Sequence, residues 1–353
     1  MKSLLWRIGQ PVLAVSLGIA VGLLVTTFAG ESPLHILAVL GKSAFGSRYD
    51  FGMTLFYATP LIFTGLSVAV AFHAGLFNIG GEGQLAFGAL AAAAVGILAP
   101  NVPWPIAPVL GTLGAFAAGA AWGFIPGWLR ARRGSHEVIN TIMLNFIAAG
   151  LTSWVTLYVL RSTESQNPET ALIGPNYIIQ RLRFFEDAPV SGAFFMGLAT
   201  AFLVWILLWR TVFGFELRAV GQNENAARAV GIDVARIRIL AMTIAGGLAG
   251  WVGVSEVLGN AHQFRMDFSP GYGFIGIAVA LLGRNNPFGV VAAALLFGAL
   301  HKGTADLDFE TEHVTRDLSM ILQALVILSV SADGLWAWFG KLGRSKRGGA
   351  SAS

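Results

Sequence analysis

The chain has no cysteine among its 353 residues, which excludes disulfides, thiolate nucleophiles and Cys-ligated metal sites. Charge is scarce too: Asp, Glu, Lys and Arg make up 12% of the chain, where soluble domains carry roughly 25%. So little charge cannot clothe a water-facing surface. A hydrophobic content of 55% and a mean hydropathy of +0.67 place the sequence among polytopic membrane proteins.

Nucleotide and metal motifs are missing as well. A P-loop needs glycine five residues ahead of Gly-Lys-Ser, and before Gly41-Lys42-Ser43 that position is Ile36, so the chain has no ATP cradle of its own. His136-Glu137 opens like a zincin helix, but Asn140 stands where the second histidine belongs. Gly271-x-Gly273-x-x-Gly276 has the spelling of a dinucleotide fingerprint, yet it opens an apolar membrane segment and follows no strand. The sequence therefore points to no catalytic constellation, no metal and no cofactor. The net charge of +4 belongs to membrane-flanking loops and not to a nucleic-acid surface.

What the chain does have is long apolar runs. The expected fold is an all-α integral membrane protein, a helical bundle of about eight to ten spans, with one transmembrane domain over residues 1–340 and a basic tail at 341–353. Residues 8–30 are read as the first span and not as a signal peptide, because the run exceeds a usual h-region and no cleavage site precedes the polar loop at 31–50. Further spans are expected at 51–72, from the 75–84 stretch to about 100, to about 129, at 138–160, at 191–209, to about 258, and at 318–339. The runs 272–282 and 287–300, separated by GRNNP, are each short for a full crossing.

Sorting the 23 Lys and Arg by loop puts fifteen on the side of the two termini, including Arg130, Arg132, Arg133, Arg210, Arg218, Arg228, Arg236 and Arg238. The positive-inside rule then places both termini in the cytoplasm. Ala115, Gly119, Gly123 and Gly127, and again Gly246 and Gly250, fall at the four-residue spacing of close helix packing.

The polar residues inside these runs are the site candidates. GLFNIGGEGQ, at 75–84, sets Asn78, Glu82 and Gln84 among four glycines, and the glycines imply a broken helix. Broken backbone and an ionisable group at membrane depth are tolerated where protein or a wet cavity receives them. Asn78 and Glu82, four apart, would share a face if helical. Glu137, Thr141 and Asn145 form a four-residue polar stripe on the fifth span, and Asn285 and Asn286 mark a helix break before Pro287. Asn78, Glu82, Gln84, Thr141, Asn145, Asn285 and Asn286 are thus candidates for a pathway or gate, with structural hydrogen bonding as the alternative. Glu256, in the seventh span, is a further carboxylate of either kind.

The segment 210–238 alternates charge with small apolar residues. It carries a helix capped by Asn223 or Asn225 and ended by Gly231, presenting Ala226, Ala227 and Val230. Outside the membrane it has nothing of its own to bury against, which suggests docking to a soluble partner or to lipid headgroups.

Taken together, GLFNIGGEGQ, HEVINTIMLNFIA, ELRAVGQNENAARAVGI and GYGFIGIAVALLGRNNPFGV resemble the permease subunits of bacterial ABC importers for branched-chain amino acids, ribose and nucleosides, over residues 51–300. The HEVINTIMLN and GRNNP forms look closest to the nucleoside-type branch. The resemblance implies half of a translocation pore in the inner membrane, with a cytoplasmic ATPase, a second related permease, an extracytoplasmic solute-binding protein and a small polar solute as partners. It also implies a coupling helix inserted in the ATPase, built from Glu224, Asn225, Ala226, Ala227, Val230 and Gly231, with Asn225 where many members have Glu. Sugar or branched-chain amino-acid transport is the alternative within that family. An ion-coupled secondary transporter using Glu82 or Glu256 is the alternative outside it. The span count puts the 75–84 stretch at the cytoplasmic end of the third span, which favours a hinge or gate role for Glu82 and solute contact for Asn145.

Overall fold

The computed structural model describes residues 2–315 and 317–331. Among them the elements are α1 (Lys2–Phe28), α2 (Pro33–Phe45), α3 (Arg48–His73), α4 (Gly81–Leu98), α5 (Ile106–Arg133), α6 (Glu137–Tyr158) and α7 (Ala193–Arg210). They continue with α8 (Val212–Gln222), α9 (Glu224–Ala229), α10 (Val234–Gly250), α11 (Tyr272–Leu282), α12 (Pro287–Ala305), α13 (Leu307–Glu310) and α14 (Leu318–Ser331). A π-helical segment, Val254–Ala261, prolongs the line of α10. The described residues contain no strand, only isolated bridges, so the chain is all-α as expected.

Among the described residues, seven helices are long and apolar enough to cross a membrane, and α11 is one of the shorter apolar helices beside them. The expected last span ran to residue 339; it is described only to Ser331, and the basic tail at 341–353 lies outside the described residues. The 287–300 run is longer than its hydropathy suggested. α12 continues to Ala305, because Lys302 at its end finds partners in Asp306 at 3.1 Å and Ser43 at 3.2 Å.

The chain divides into two compact units, Ala44–Ala299 and a smaller one made of Met1–Ser43 with Leu300–Ser353. In the smaller unit α1 and α14 approach closely, Gly18 lying against the Val326 backbone and Gly22 against the Leu322 side chain. The sequence read 31–50 as a polar loop, but α2 occupies Pro33–Phe45. Ile36, Val39 and Leu40 recur at helical spacing and are buried, and that apolar face overrides the polar flanks.

The larger unit is built around α3, buried along almost all its length although Pro60 lies inside it. α11 packs on α3 where Gly276 meets Thr64 and Gly65 meets Val279. α5 and α10 cross on their small residues: a Cβ on Gly119 would strike the Gly246 carbonyl, and one on Gly250 would strike the Ala115 carbonyl. Here the two four-residue stripes meet, and packing is their role.

At one end of this unit, the segment between α6 and α7 is tied down by bridges Arg161 to Thr170 and Glu169 to Arg265. It is also tied by the wholly buried Tyr177, whose hydroxyl donates to the Ala99 carbonyl at 3.0 Å. At the other end lie α8 and α9.

Candidate functional site

The sequence between α3 and α4 cannot continue as helix. Gly75 takes a left-handed φ of +69°, a conformation a Cβ resists, and the Leu76 N–H turns back to the Ala71 carbonyl at 3.0 Å. Residues 74–80 are therefore unwound, as the four glycines predicted, and their polar backbone must be satisfied from nearby side chains.

Three amides do this. Asn78 and Gln84, both buried, exchange hydrogen bonds: Asn78 Nδ2 donates to Gln84 Oε1 at 2.8 Å, and Gln84 Nε2 returns to Asn78 Oδ1 at 3.1 Å. Asn78 Oδ1 also accepts from the Gly80 N–H at 3.0 Å. From α6, Asn145 Oδ1 accepts from the Gly83 N–H at 2.9 Å and its Nδ2 donates to the Ile79 carbonyl at 2.9 Å. Asn78 and Glu82 do not share a helical face, since Asn78 precedes the start of α4.

Glu82 sits in the first turn of α4 and reaches a different helix. Its Oε1 accepts from the Gly273 N–H at 2.7 Å, in the first turn of α11, and from Ser269 Oγ at 3.3 Å. Ser269, two residues ahead of the N-cap Gly271, in turn accepts from the Tyr272 N–H at 3.0 Å. The two helix starts touch at glycines: a Cβ on Gly81 would stand 3.0 Å from the Gly273 Cα. A bulkier residue at either place would separate Glu82 from the N-terminus it caps.

Beside this junction lies a pocket of about 150 Å³, open on one side, lined by Glu82, Asn145, Ser153, Asp267, Phe268 and Ser269 among others. Asn145 lies eight residues from Glu137, roughly 12 Å along α6, so the pocket is within the helix stack and not at its end. Phe264 and Phe268 line it too, their rings 5.6 Å apart and inclined at 70°. Pockets that enclose a drug-sized ligand hold ~300 Å³ or more, so this one is smaller than such an enclosure. Sequence reasoning missed Ser153, Asp267, Ser269 and both phenylalanines. Ser269 three residues ahead of the apolar run was a legible capping signal; the others came close only through folding.

The remaining candidates lie elsewhere. Thr141 is buried and spends its hydroxyl on the Glu137 carbonyl one turn back, at 2.8 Å. Glu137 pairs with Arg130 at 3.2 Å. Asn285 and Asn286 form the joint between α11 and α12. Arg284 and Asn285 both have positive φ, the Asn285 carbonyl lies 3.0 Å from His73 Nε2, and Asn286 Oδ1 accepts from the Phe288 N–H at 3.0 Å to start α12. Glu256 is buried in the π-helical segment, with Asn260 Nδ2 3.5 Å from its Oε2.

The 210–238 segment folds as a compact arm. Asn223 caps α9, accepting from the Ala226 N–H at 3.0 Å, and Gly231 ends it with φ +87°. Glu224 joins Arg228 at 2.5 Å and Arg238, on α10, at 2.6 Å. The hydrogen bond from Arg238 holds the Glu224 carboxyl below the usual glutamate value. Ala227 is buried against the arm's own body, whereas Asn225, Ala226, Val230 and Gly231 are exposed. Of the small residues expected to form one presented face, Ala227 instead faces inward.

Comparison with known proteins follows the same lines. Residues 51–331 match the family described as branched-chain amino acid transport system, permease component. The guanosine ABC transporter permease protein NupP of Bacillus subtilis is 39% identical over 94% of this chain and 95% of its own length. The glucose ABC transporter permease protein TsgB13 of Haloferax volcanii is 33% identical over 91% of this chain and 86% of its own. The nucleoside ABC transporter permease protein NupB of Lactococcus lactis is 33% identical over 91% and 90%. Both bacteria contribute a second, more distant permease match named for the same solute, at 30% and 27% identity over 69% of this chain.

Proposed function

The chain belongs to the family of branched-chain amino acid transport system permease components, and from that membership we propose that it is the membrane-spanning subunit of an ABC importer for nucleosides. It sits in the cell membrane with both termini in the cytoplasm, pairs with a second, related permease, and receives solute from an extracytoplasmic binding protein. A separate ATPase hydrolyses ATP; this chain moves solute without altering it.

The observation that carries the reading is the α8–α9 arm. Its tip, with Asn225, Ala226 and Val230, is exposed, while its base is fixed to α10 through Glu224 and Arg238. Where α8 ends, Gly221 packs on the unwound 74–80 segment at Gly75. An ATPase that pushed the tip would move the base as one piece, and the base touches the segment that leads to Glu82. That is a lever between a nucleotide-driven partner and a pocket.

The nucleoside assignment follows NupP and NupB. A nucleoside joins an aromatic base to a hydroxyl-bearing pentose, which suits a pocket combining Phe268 with carboxylates and hydroxyls. TsgB13 favours a sugar as the second reading, since the same acceptors serve a sugar alone.

The test is uptake by proteoliposomes holding this chain, its partner permease, the ATPase and the binding protein. Labelled guanosine should accumulate only with ATP. Uptake by this chain without the ATPase would defeat the ABC reading, and accumulation of glucose in place of guanosine would reassign the solute.

A further inference from the structure

We infer that Glu82 is the charge filter of the pocket, making it a site for neutral, hydroxyl-bearing solutes and turning anions away. The inference rests on the transport reading above and adds the charge class of the solute and the residue that sets it.

The lining supplies the first argument. It includes two carboxylates, Glu82 and Asp267, and among the described residues no Lys, Arg or His lines it. Helix starts supply the second. The N–H groups at a helix N-terminus are a ready anion site, and two helices begin at this pocket, α4 and α11. At each, an N–H is already taken from across the junction: the Gly273 N–H by Glu82 Oε1 and the Gly83 N–H by Asn145 Oδ1. A carboxylate or phosphate entering here would meet acceptors where it needs donors.

The third argument is what the lining can still offer. The carboxylates accept from solute hydroxyls, Ser153 gives and accepts, and Phe268, backed by the buried Phe264, presents apolar surface, while the Thr152 hydroxyl is spent on the Ala148 carbonyl at 2.8 Å. Asn145 has both ends of its amide committed to backbone, so the acceptors for the solute are Glu82 and Asp267. A nucleoside satisfies this set. Its 5′-phosphate, or the carboxylate of an amino acid, does not.

The absence of cysteine makes a direct test practical. In the assembled transporter, Ser153→Cys gives this chain a single thiol in the pocket, and its modification can be followed on this chain by mass. Positively and negatively charged methanethiosulfonates of similar size are compared. The cationic reagent should react roughly tenfold faster than the anionic one beyond their difference with a free thiol, as a nearby carboxylate pair of intermediate dielectric requires. Glu82→Gln should shrink that ratio severalfold, because the amide oxygen keeps the Gly273 N–H bonded while the charge is gone. Should Glu82→Gln assemble poorly, Glu82→Ala is read in its place, and Asp267→Asn, which should move the ratio less, separates the two carboxylates.

Guanosine should slow the modification, and guanosine 5′-monophosphate at the same concentration should not. Equal reactivity of the two reagents, a ratio unmoved by Glu82→Gln, or equal protection by the monophosphate would overturn the filter. Protection by glucose with none by guanosine would overturn the nucleoside assignment while supporting the filter.

Discussion

Gly221, in the last turn of α8, is seated directly on Gly75, the left-handed residue that ends α3. A Cβ on Gly221 would strike the His73 carbonyl and stand 2.9 Å from the Gly75 nitrogen, and a Cβ on Gly75 would stand 3.2 Å from the Gly221 Cα. Nothing larger than glycine fits this contact.

Gly221→Val should therefore push α8 off the 74–80 segment. Overpacking of this kind typically costs about 1–3 kcal/mol, too little to unfold a bundle held by α3 and the α5–α10 seam. The expected outcome is a protein that inserts and captures the ATPase but transports at a small fraction of the wild-type rate. Normal uptake by Gly221→Val would show that force does not pass through this contact.

The arm has an inner and an outer alanine, and they should respond differently. Ala227 is buried, so Ala227→Leu should disorder α9 and lower the melting temperature along with ATPase capture. Ala226 is exposed, so Ala226→Trp should leave the melting temperature unchanged and block capture alone. Pull-down of the ATPase beside a thermal melt distinguishes the two. Undiminished capture by Ala226→Trp would place the ATPase contact elsewhere.

Glu224 gives the arm a defined pH dependence. Its carboxyl titrates below the ordinary glutamate value because Arg238 donates to it. A folded-state value lowered in this way stabilises the arm wherever the unfolded group would be ionised. The contribution is complete above the ordinary glutamate value and is lost as pH falls through the depressed one. A spin label at Asn225→Cys should stay immobile from neutral pH down to the ordinary glutamate range and loosen below it. With Glu224→Gln the label should be looser at neutral pH and show no transition. The partly exposed pair is worth about 1 kcal/mol or less, so ATPase capture by Glu224→Gln should weaken only severalfold.

The Asn78–Gln84 pair separates clamp from pathway. Asn78→Ala removes the Gln84 partners and strands a buried amide, a loss of about 1–3 kcal/mol. The double change to Leu at both positions removes both amides together and should recover part of that stability. If the amides serve only to hold the unwound segment, transport per folded molecule should follow stability across the series. A stable double variant that fails to transport would make the pair part of the route.

The sequence by itself determined the class of this protein. Apolar runs and scarce charge forced membrane-spanning helices, because an unpaired backbone group or an unpartnered charge is costly in lipid. The stretch 75–84 was legible as a break, since its glycines carry no side chains to favour a helix and its amides need partners. The packing stripes at 115–127 and 246–250 were legible as well, because small residues at four-residue spacing leave backbones free to meet. The end of α12 and the helix α2 were less legible: hydropathy falls where Lys302 or Glu31 enters, and only a neighbour such as Asp306, or a buried face such as that of Ile36 and Leu40, keeps the helix going.

What each polar residue does was decided by the tertiary structure alone. Nothing in the spacing of Glu82 reveals that its partner lies 191 residues away at Gly273, or that Asn145 bonds the backbone at Gly83 and Ile79. Nor does any local pattern bring Asp267 and Phe268 beside Glu82. Sequence periodicity reports which face of one helix is polar. It cannot report which other helix that face meets, because hydrogen bonds between elements depend on how the elements pack.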